Sequence, residues 1–128
     1  VSPAMVGAAR RRWHNRADCA FEVAEGAVRL ADYSLASGIF NVKLACPLPE
    51  WEALVAGTLV NLKRHSRLGY AVNFIAPPAP GQASPPELYR PAAERWLAHI
   101  ADTQAGAEVT LLRGYGLPEY TLLVRPAH

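Results

Sequence analysis

The sequence predicts an α/β domain with a mostly parallel sheet, helices on both faces and an antiparallel hairpin at its C-terminal end. Three observations carry this. Apolar segments with strand character alternate with segments whose apolar residues recur at helical spacing. The last two strand segments follow each other across Arg113-Gly114-Tyr115-Gly116-Leu117-Pro118-Glu119, a turn rich in glycine. The stretch around Tyr33-Ser34-Leu35-Ala36 reads as a buried strand that stops at Ser37-Gly38, where the backbone can pass close to another molecule with no side chain in the way. In open α/β sheets, ligands sit outside the carboxyl ends of the strands, so this turn is where chemistry is expected.

The elements follow in order. Ser2-Pro3 is an N-cap followed by proline in the first helical turn, and Met5, Ala8, Ala9 and Trp13 continue a helical stripe. Residues 19–23, Cys-Ala-Phe-Glu-Val, alternate as a short strand ended by Ala24-Glu25-Gly26. After the central strand, Cys46-Pro47-Leu48-Pro49-Glu50 marks a helix start. Trp51, Leu54, Val55, Leu59 and Leu62 give its buried stripe, and Lys63, Arg64, His65 and Arg67 close it before Gly69. Residues 70–75 form a buried strand broken by Pro77-Pro78, and a Pro/Gly/Ser-rich loop covers residues 79–86. Pro91 opens a helix carrying Trp96, Leu97 and Ile100, and residues 108–112 and 120–124 are the closing strands.

Composition narrows the function classes. A chain of 128 residues, 51% of them hydrophobic, suits one compact domain with one core. Thirteen basic and 11 acidic side chains nearly balance, so charge implies neither a nucleic-acid nor an anionic-membrane partner. The basic run Arg10-Arg11-Arg12 ends a predicted helix, where cations complement the dipole. Two cysteines, Cys19 and Cys46, are too few for a disulfide scaffold or a zinc site, which makes a reduced, cytoplasmic setting the default. No apolar run is long enough to cross a bilayer, and His14, His65, His99 and His128 show no metal-ligand spacing.

Four blocks carry a family resemblance. They are Ala36-Ser37-Gly38-Ile39-Phe40-Asn41-Val42; Arg67-Leu68-Gly69-Tyr70-Ala71-Val72-Asn73; Glu87-Leu88-Tyr89; and Gly114-Tyr115-Gly116-Leu117-Pro118-Glu119-Tyr120-Thr121-Leu122-Leu123-Val124. In this order, over essentially the whole chain, they resemble a group of bacterial class I S-adenosylmethionine-dependent methyltransferases. The resemblance implies a Rossmann-like class I methyltransferase fold and methyl transfer from S-adenosylmethionine to a small-molecule acceptor. The glycine-rich turn that holds the cofactor's methionine part in this family has no counterpart before the central strand. The resemblance therefore implies that residues 1–128 form a partial, N-terminally truncated methyltransferase domain, the C-terminal two-thirds. It also implies a free apolar edge beside the Tyr33 strand, so that either the Phe21 and Tyr33 strands pair directly or the chain self-associates.

Site residues follow from the same resemblance. Ser2, Glu25, Gly26, Ser37 and Gly38 fall at cofactor-binding positions, with Glu25 placed to receive the adenine amino group. Asn41, Tyr89 and Tyr115 fall where the acceptor substrate would lie. Each has a plainer role open to it: Glu25 as a solvated turn carboxylate, Ser37 and Asn41 as side chains satisfying local backbone groups, Tyr89 and Tyr115 as aromatic core or rim residues. Asn73, alone in an apolar strand, reads as a structural hydrogen-bonder. No Ser-His-Asp set and no paired acids appear, so the sequence nominates no general base. A non-catalytic α/β interaction module that keeps the fold without binding cofactor is the alternative function.

Overall fold

The computed structural model describes residues 2–127; Val1 and His128 lie outside the described residues. Helix α1 (Pro3–Arg12) is followed by a long irregular segment, strand β1 (Ala31–Ala36), helix α2 (Leu48–His65), strand β2 (Ser66–Ile75), helix α3 (Ala93–Thr103) and strands β3 (Glu108–Leu112) and β4 (Glu119–Arg125). The sheet order is β1-β2-β4-β3. Strand β1 runs parallel to β2, and β4 inserts antiparallel to both β2 and β3. Three strands thus share one direction and the last is reversed, as the sequence predicts.

The core lies on one face of this sheet. Tyr70, Val72 and Phe74 of β2 and Tyr120, Leu122 and Val124 of β4 alternate inward, as period-2 strands must, and meet Val55, Leu59 and Leu62 of α2 and Trp96 and Ile100 of α3. Phe74 is its centre. Its ring stacks on Phe40 at 5.4 Å, Tyr120 at 5.5 Å and Trp96 at 6.0 Å, and meets Tyr89 edge-on at 6.3 Å. Tyr70 closes the far end: its hydroxyl accepts from the buried Gln104 amide at 2.7 Å, and burial pushes its pKa up to about 12.

The opposite face is open. Tyr33 and Leu35, expected on a buried strand, are instead 67% and 80% exposed because no element covers this face of β1 among the described residues, and Leu123 is 40% exposed. Gly69 of β2 has no room for a side chain, because a Cβ would meet the Val124 carbonyl oxygen at 2.9 Å, with the Tyr33 ring at 3.6 Å. Gly69→Ala is therefore expected to cost about 1–3 kcal/mol, since the obstructing atom belongs to the β2–β4 backbone ladder. Gly57→Ala, in α2 with nothing within 4 Å of a built Cβ, should instead stabilise by up to about 1 kcal/mol. Urea titration of both variants checks the contrast.

Two boundaries depart from the sequence expectation. Strand β2 begins at Ser66, four residues before residue 70, because the Ser66 hydroxyl donates to Leu62 O at 2.6 Å and lies within hydrogen-bond distance of Ser34 Oγ at 2.8 Å, ending α2 and joining β1 in one step. Residues 19–23, expected as a strand, are irregular. A strand needs a hydrogen-bonded neighbour; among the described residues the second edge of β1 has none, and Phe21 packs toward α1, its carbonyl accepting from Arg10 Nη2 at 2.6 Å and Nε at 2.9 Å.

Candidate functional site

The chain leaves β1 through Ser37 and Gly38, and Gly38 takes a φ of +72°, a left-handed conformation that glycine adopts without strain. A polar side chain from the neighbouring strand holds this turn. Asn73 of β2 accepts the Gly38 N–H on Oδ1 at 2.7 Å and donates from Nδ2 to Ser37 Oγ at 3.2 Å. Its position follows from register: β1 pairs Ala36 with Val72, so the residue after Val72 lies beside the turn that follows Ala36. Asn73 is thus the hydrogen-bonding residue its apolar strand implied.

The polar row continues across the sheet. Asn73 stands opposite Thr121 of β4, and Ile75 opposite Glu119. Asn73 Nδ2 also approaches Glu119 Oε1 at 3.4 Å. The Tyr115 hydroxyl, brought back by the loop before β4, lies 2.8 Å from Thr121 Oγ1 and donates to Glu119 Oε1 at 3.3 Å. The loop is pinned to the end of β2 by the Ala76 N–H, which donates to Pro118 O at 2.9 Å. Ser37, Gly38, Asn73, Thr121, Tyr115 and Glu119 therefore form one hydrogen-bonded row at the carboxyl ends of β1 and β2.

Of the sequence-nominated residues, this row contains Ser37, Gly38 and Tyr115. Asn41 lies just past the turn, its carbonyl accepting the Tyr89 N–H at 2.9 Å, which ties the turn to the segment before α3. Tyr89 is placed in the core. It is 4% exposed, its hydroxyl donates to Glu52 Oε1 and accepts from Trp96 Nε1, both at 3.0 Å, and burial raises its pKa well above the usual phenol range. Its ring serves the core, and both hydrogen-bonding directions of its hydroxyl are taken.

The remaining nominated residues gather elsewhere. Ser2 caps α1 by accepting from Met5 N–H at 3.3 Å, and it lines a depression with Phe21 and Glu22. Gly26 lines a second depression that shares Ala20 and Glu22 with the first. Glu25 is exposed at a bend and lines neither. This bend is fixed by Asn61 of α2, whose amide accepts the Ala27 N–H at 2.8 Å and donates to Ala27 O at 3.3 Å. A Cβ at Gly26 would meet Asn61 Oδ1 at 2.9 Å, so a side chain there would displace the Asn61 amide from its bonds to Ala27.

Sequence reasoning passed over Glu119, Thr121 and Asn61 as site residues. Glu119 and Thr121 lie inside the block quoted for the resemblance, but only register with β2 brings them to Asn73. Asn61 sits one turn before the basic end of a helix, where a polar residue carries no signal. Among the described residues no cluster of His, Cys, Asp and Glu could hold a metal ion, and no helix is long and apolar enough to cross a membrane.

Comparison with known proteins fits this architecture. No family model matches the chain. A protein of Mycobacterium tuberculosis (strain ATCC 25618 / H37Rv) named "Putative methyltransferase Rv1506c" is 40% identical over 129 residues, which cover 99% of this chain and 76% of that protein. Among solved structures, magnesium protoporphyrin IX methyltransferase (ChlM) from Synechocystis PCC 6803 with bound SAM superposes with a TM-score of 0.59 at 11% identity, over 99% of this chain and 57% of that one. The same enzyme with bound SAH gives 0.59 at 12% identity, over 96% and 60%. The chain thus spans less than two thirds of the solved enzyme, and at these identities the likeness is one of fold.

Proposed function

Since the chain belongs to the methyltransferase family, we propose that it serves methyl transfer from S-adenosylmethionine to a small-molecule acceptor, at the carboxyl ends of β1 and β2. Residues 1–128 are read as part of a methyltransferase domain, in keeping with the share of the solved enzyme they span. The observation that carries the reading is the Ser37–Gly38 turn, held open by Asn73 at the place where an open α/β sheet takes its ligand.

The residues present fit a polar, nucleotide-like ligand at that turn. Gly38 has no side chain, and a Cβ there would meet nothing closer than Asn41 Nδ2 at 3.7 Å, so a ligand can approach the backbone. Ser37 adds a hydroxyl that both donates and accepts. Glu25 and Gly26, on the bend that Asn61 fixes, are the residues for the adenine end, and Ser2 is the further polar group on that side. When bound, S-adenosylmethionine supplies a methyl group activated by its sulfonium; the chain's share is to orient the donor and the acceptor and to exclude water.

Calorimetry tests the reading. S-adenosylmethionine and S-adenosylhomocysteine are titrated into the 128-residue chain and into a longer version carrying upstream sequence. Saturable binding by either version is expected; failure of both would favour the non-catalytic interaction module. Asn73→Ala removes the acceptor of the Gly38 N–H and the donor to Ser37 together. It should weaken S-adenosylhomocysteine binding about tenfold by loosening the turn, and should also lower stability by roughly 1–1.5 kcal/mol, because the lost hydrogen bonds lie within the chain. An unchanged affinity would remove the turn from the binding site.

A further inference from the structure

We propose that Glu119 is the group that receives the proton of the methyl acceptor, and that the acceptor therefore carries an O–H or N–H nucleophile on an apolar body. The inference rests on the methyltransferase reading above. Glu119 is the only carboxylate in the polar row, and its two oxygens are treated differently. Oε1 accepts from Asn73 Nδ2 at 3.4 Å and from the Tyr115 hydroxyl at 3.3 Å. Oε2 takes part in no hydrogen bond or ion pair among the described residues and is not a buried, unsatisfied atom. One oxygen thus anchors the carboxylate and the other is left to meet a donor.

What surrounds Glu119 fits such a donor. Asn73, which steadies its carboxylate, is the same residue that holds the Ser37–Gly38 turn, so donor site and carboxylate are coupled through one amide. On the other side Glu119 borders a depression of about 300 Å³ whose apolar walls are Ala76, Pro77, Ala93, Leu117, Pro118 and Tyr120, and which is also lined by Glu94 and Arg113, a pair 3.9 Å apart. Those walls suit an apolar body whose single protic group points to the row. The Thr121 and Tyr115 hydroxyls, their protons already committed within the row, can still accept a hydrogen bond.

The step balances simply. As the acceptor's oxygen or nitrogen forms its bond to the methyl carbon, that carbon's bond to the sulfur of the methylsulfonium donor breaks with its electron pair left on sulfur. The O–H or N–H proton passes to Oε2 of Glu119. A positioned carboxylate in this role is worth about a hundredfold or more in rate.

The test uses 4-cresol as a protic probe and 4-methylanisole, which lacks the proton, as its match. In the chain labelled with ¹³C at the Glu carboxyls, Glu119→Gln identifies the Glu119 signal. That signal is expected to move with 4-cresol and not with 4-methylanisole. Glu119→Gln should weaken 4-cresol binding at least fivefold, read from the Thr121 and Asn73 amides, while S-adenosylhomocysteine affinity stays within twofold. With S-adenosylmethionine present, transfer to 4-cresol should fall about a hundredfold in the variant.

Equal shifts with both probes, or unchanged 4-cresol binding by Glu119→Gln, would overturn the assignment. Loss of S-adenosylhomocysteine binding in the variant would overturn it as well, by moving Glu119 to the donor side. A wild-type chain that binds donor and 4-cresol yet leaves the phenol unmethylated removes the proton-accepting role. Because the ¹³C readout needs no donor, a wild-type chain that fails to bind S-adenosylhomocysteine counts against the methyltransferase reading alone.

Discussion

Trp96→Ala should cost the domain about 3–5 kcal/mol of stability, a large share of the roughly 5–15 kcal/mol typical of a folded chain. Trp96 is fully buried, stacks on Phe74 at 6.0 Å, and its indole N–H donates to the Tyr89 hydroxyl at 3.0 Å. Truncation therefore opens a cavity beside the central ring of the core and also strips Tyr89 of its donor. Tyr89 would keep only Glu52, itself held by Arg95 at 3.0 Å, and Arg95 lies over the Trp96 ring at 4.5 Å. One substitution thus loosens the joint between α2, α3 and the segment before α3. Urea unfolding followed by circular dichroism should show a lower midpoint with an unchanged slope. Trp96→Phe, which keeps a ring but loses the N–H, should fall between; a cost under about 1 kcal/mol for Trp96→Ala would place the centre of the core elsewhere.

Much of this was legible in the sequence because it depends on local pattern. The helical spacing of Val55, Leu59 and Leu62, the alternation in residues 70–75 and the glycine-rich turn before Tyr120 are local signals that the folded chain keeps. The Ser37–Gly38 turn was legible for the same reason, since a strand ending on glycine marks a left-handed turn wherever it packs. What escaped depends on partners distant in sequence. Residues 19–23 alternate like a strand, yet alternation describes only side chains, and a strand also needs a backbone neighbour. Tyr89 looked like a loop aromatic because its partners, Glu52 and Trp96, come from two helices on either side of it in sequence. Glu119 and Asn73 are 46 residues apart, and only the β2–β4 register makes them one site.

The core's hydroxyls also tie stability to alkaline pH. Tyr70, Tyr89 and Tyr120 all lie at or below 4% exposure, and burial raises the pKa of each: Tyr70 to about 12, the other two further. Their hydroxyls are committed to Gln104, to Glu52 and Trp96, and to Pro91 O at 2.8 Å. The sign follows from linkage. The unfolded chain releases these protons near the ordinary phenol value of about 10, whereas the folded chain keeps them to higher pH. The stabilisation is therefore full below pH of about 10 and is lost as pH rises toward the folded values. In that window each tyrosine contributes a slope of about 1.4 kcal/mol per pH unit, so three together reach about 4. A marginally stable domain should unfold within a few pH units of the onset. Urea midpoints at pH 8, 10 and 11 should fall slightly between the first two, by the equivalent of about 1 kcal/mol because the unfolded phenols are half ionised at pH 10, and drop steeply at the third, with absorbance at the phenolate band rising as the chain unfolds. Tyr120→Phe loses the bond to Pro91 O and so starts less stable, but its decline with pH should be shallower by about a third. A midpoint that holds level through pH 11 would mean that these hydroxyls ionise in the folded chain as readily as in water.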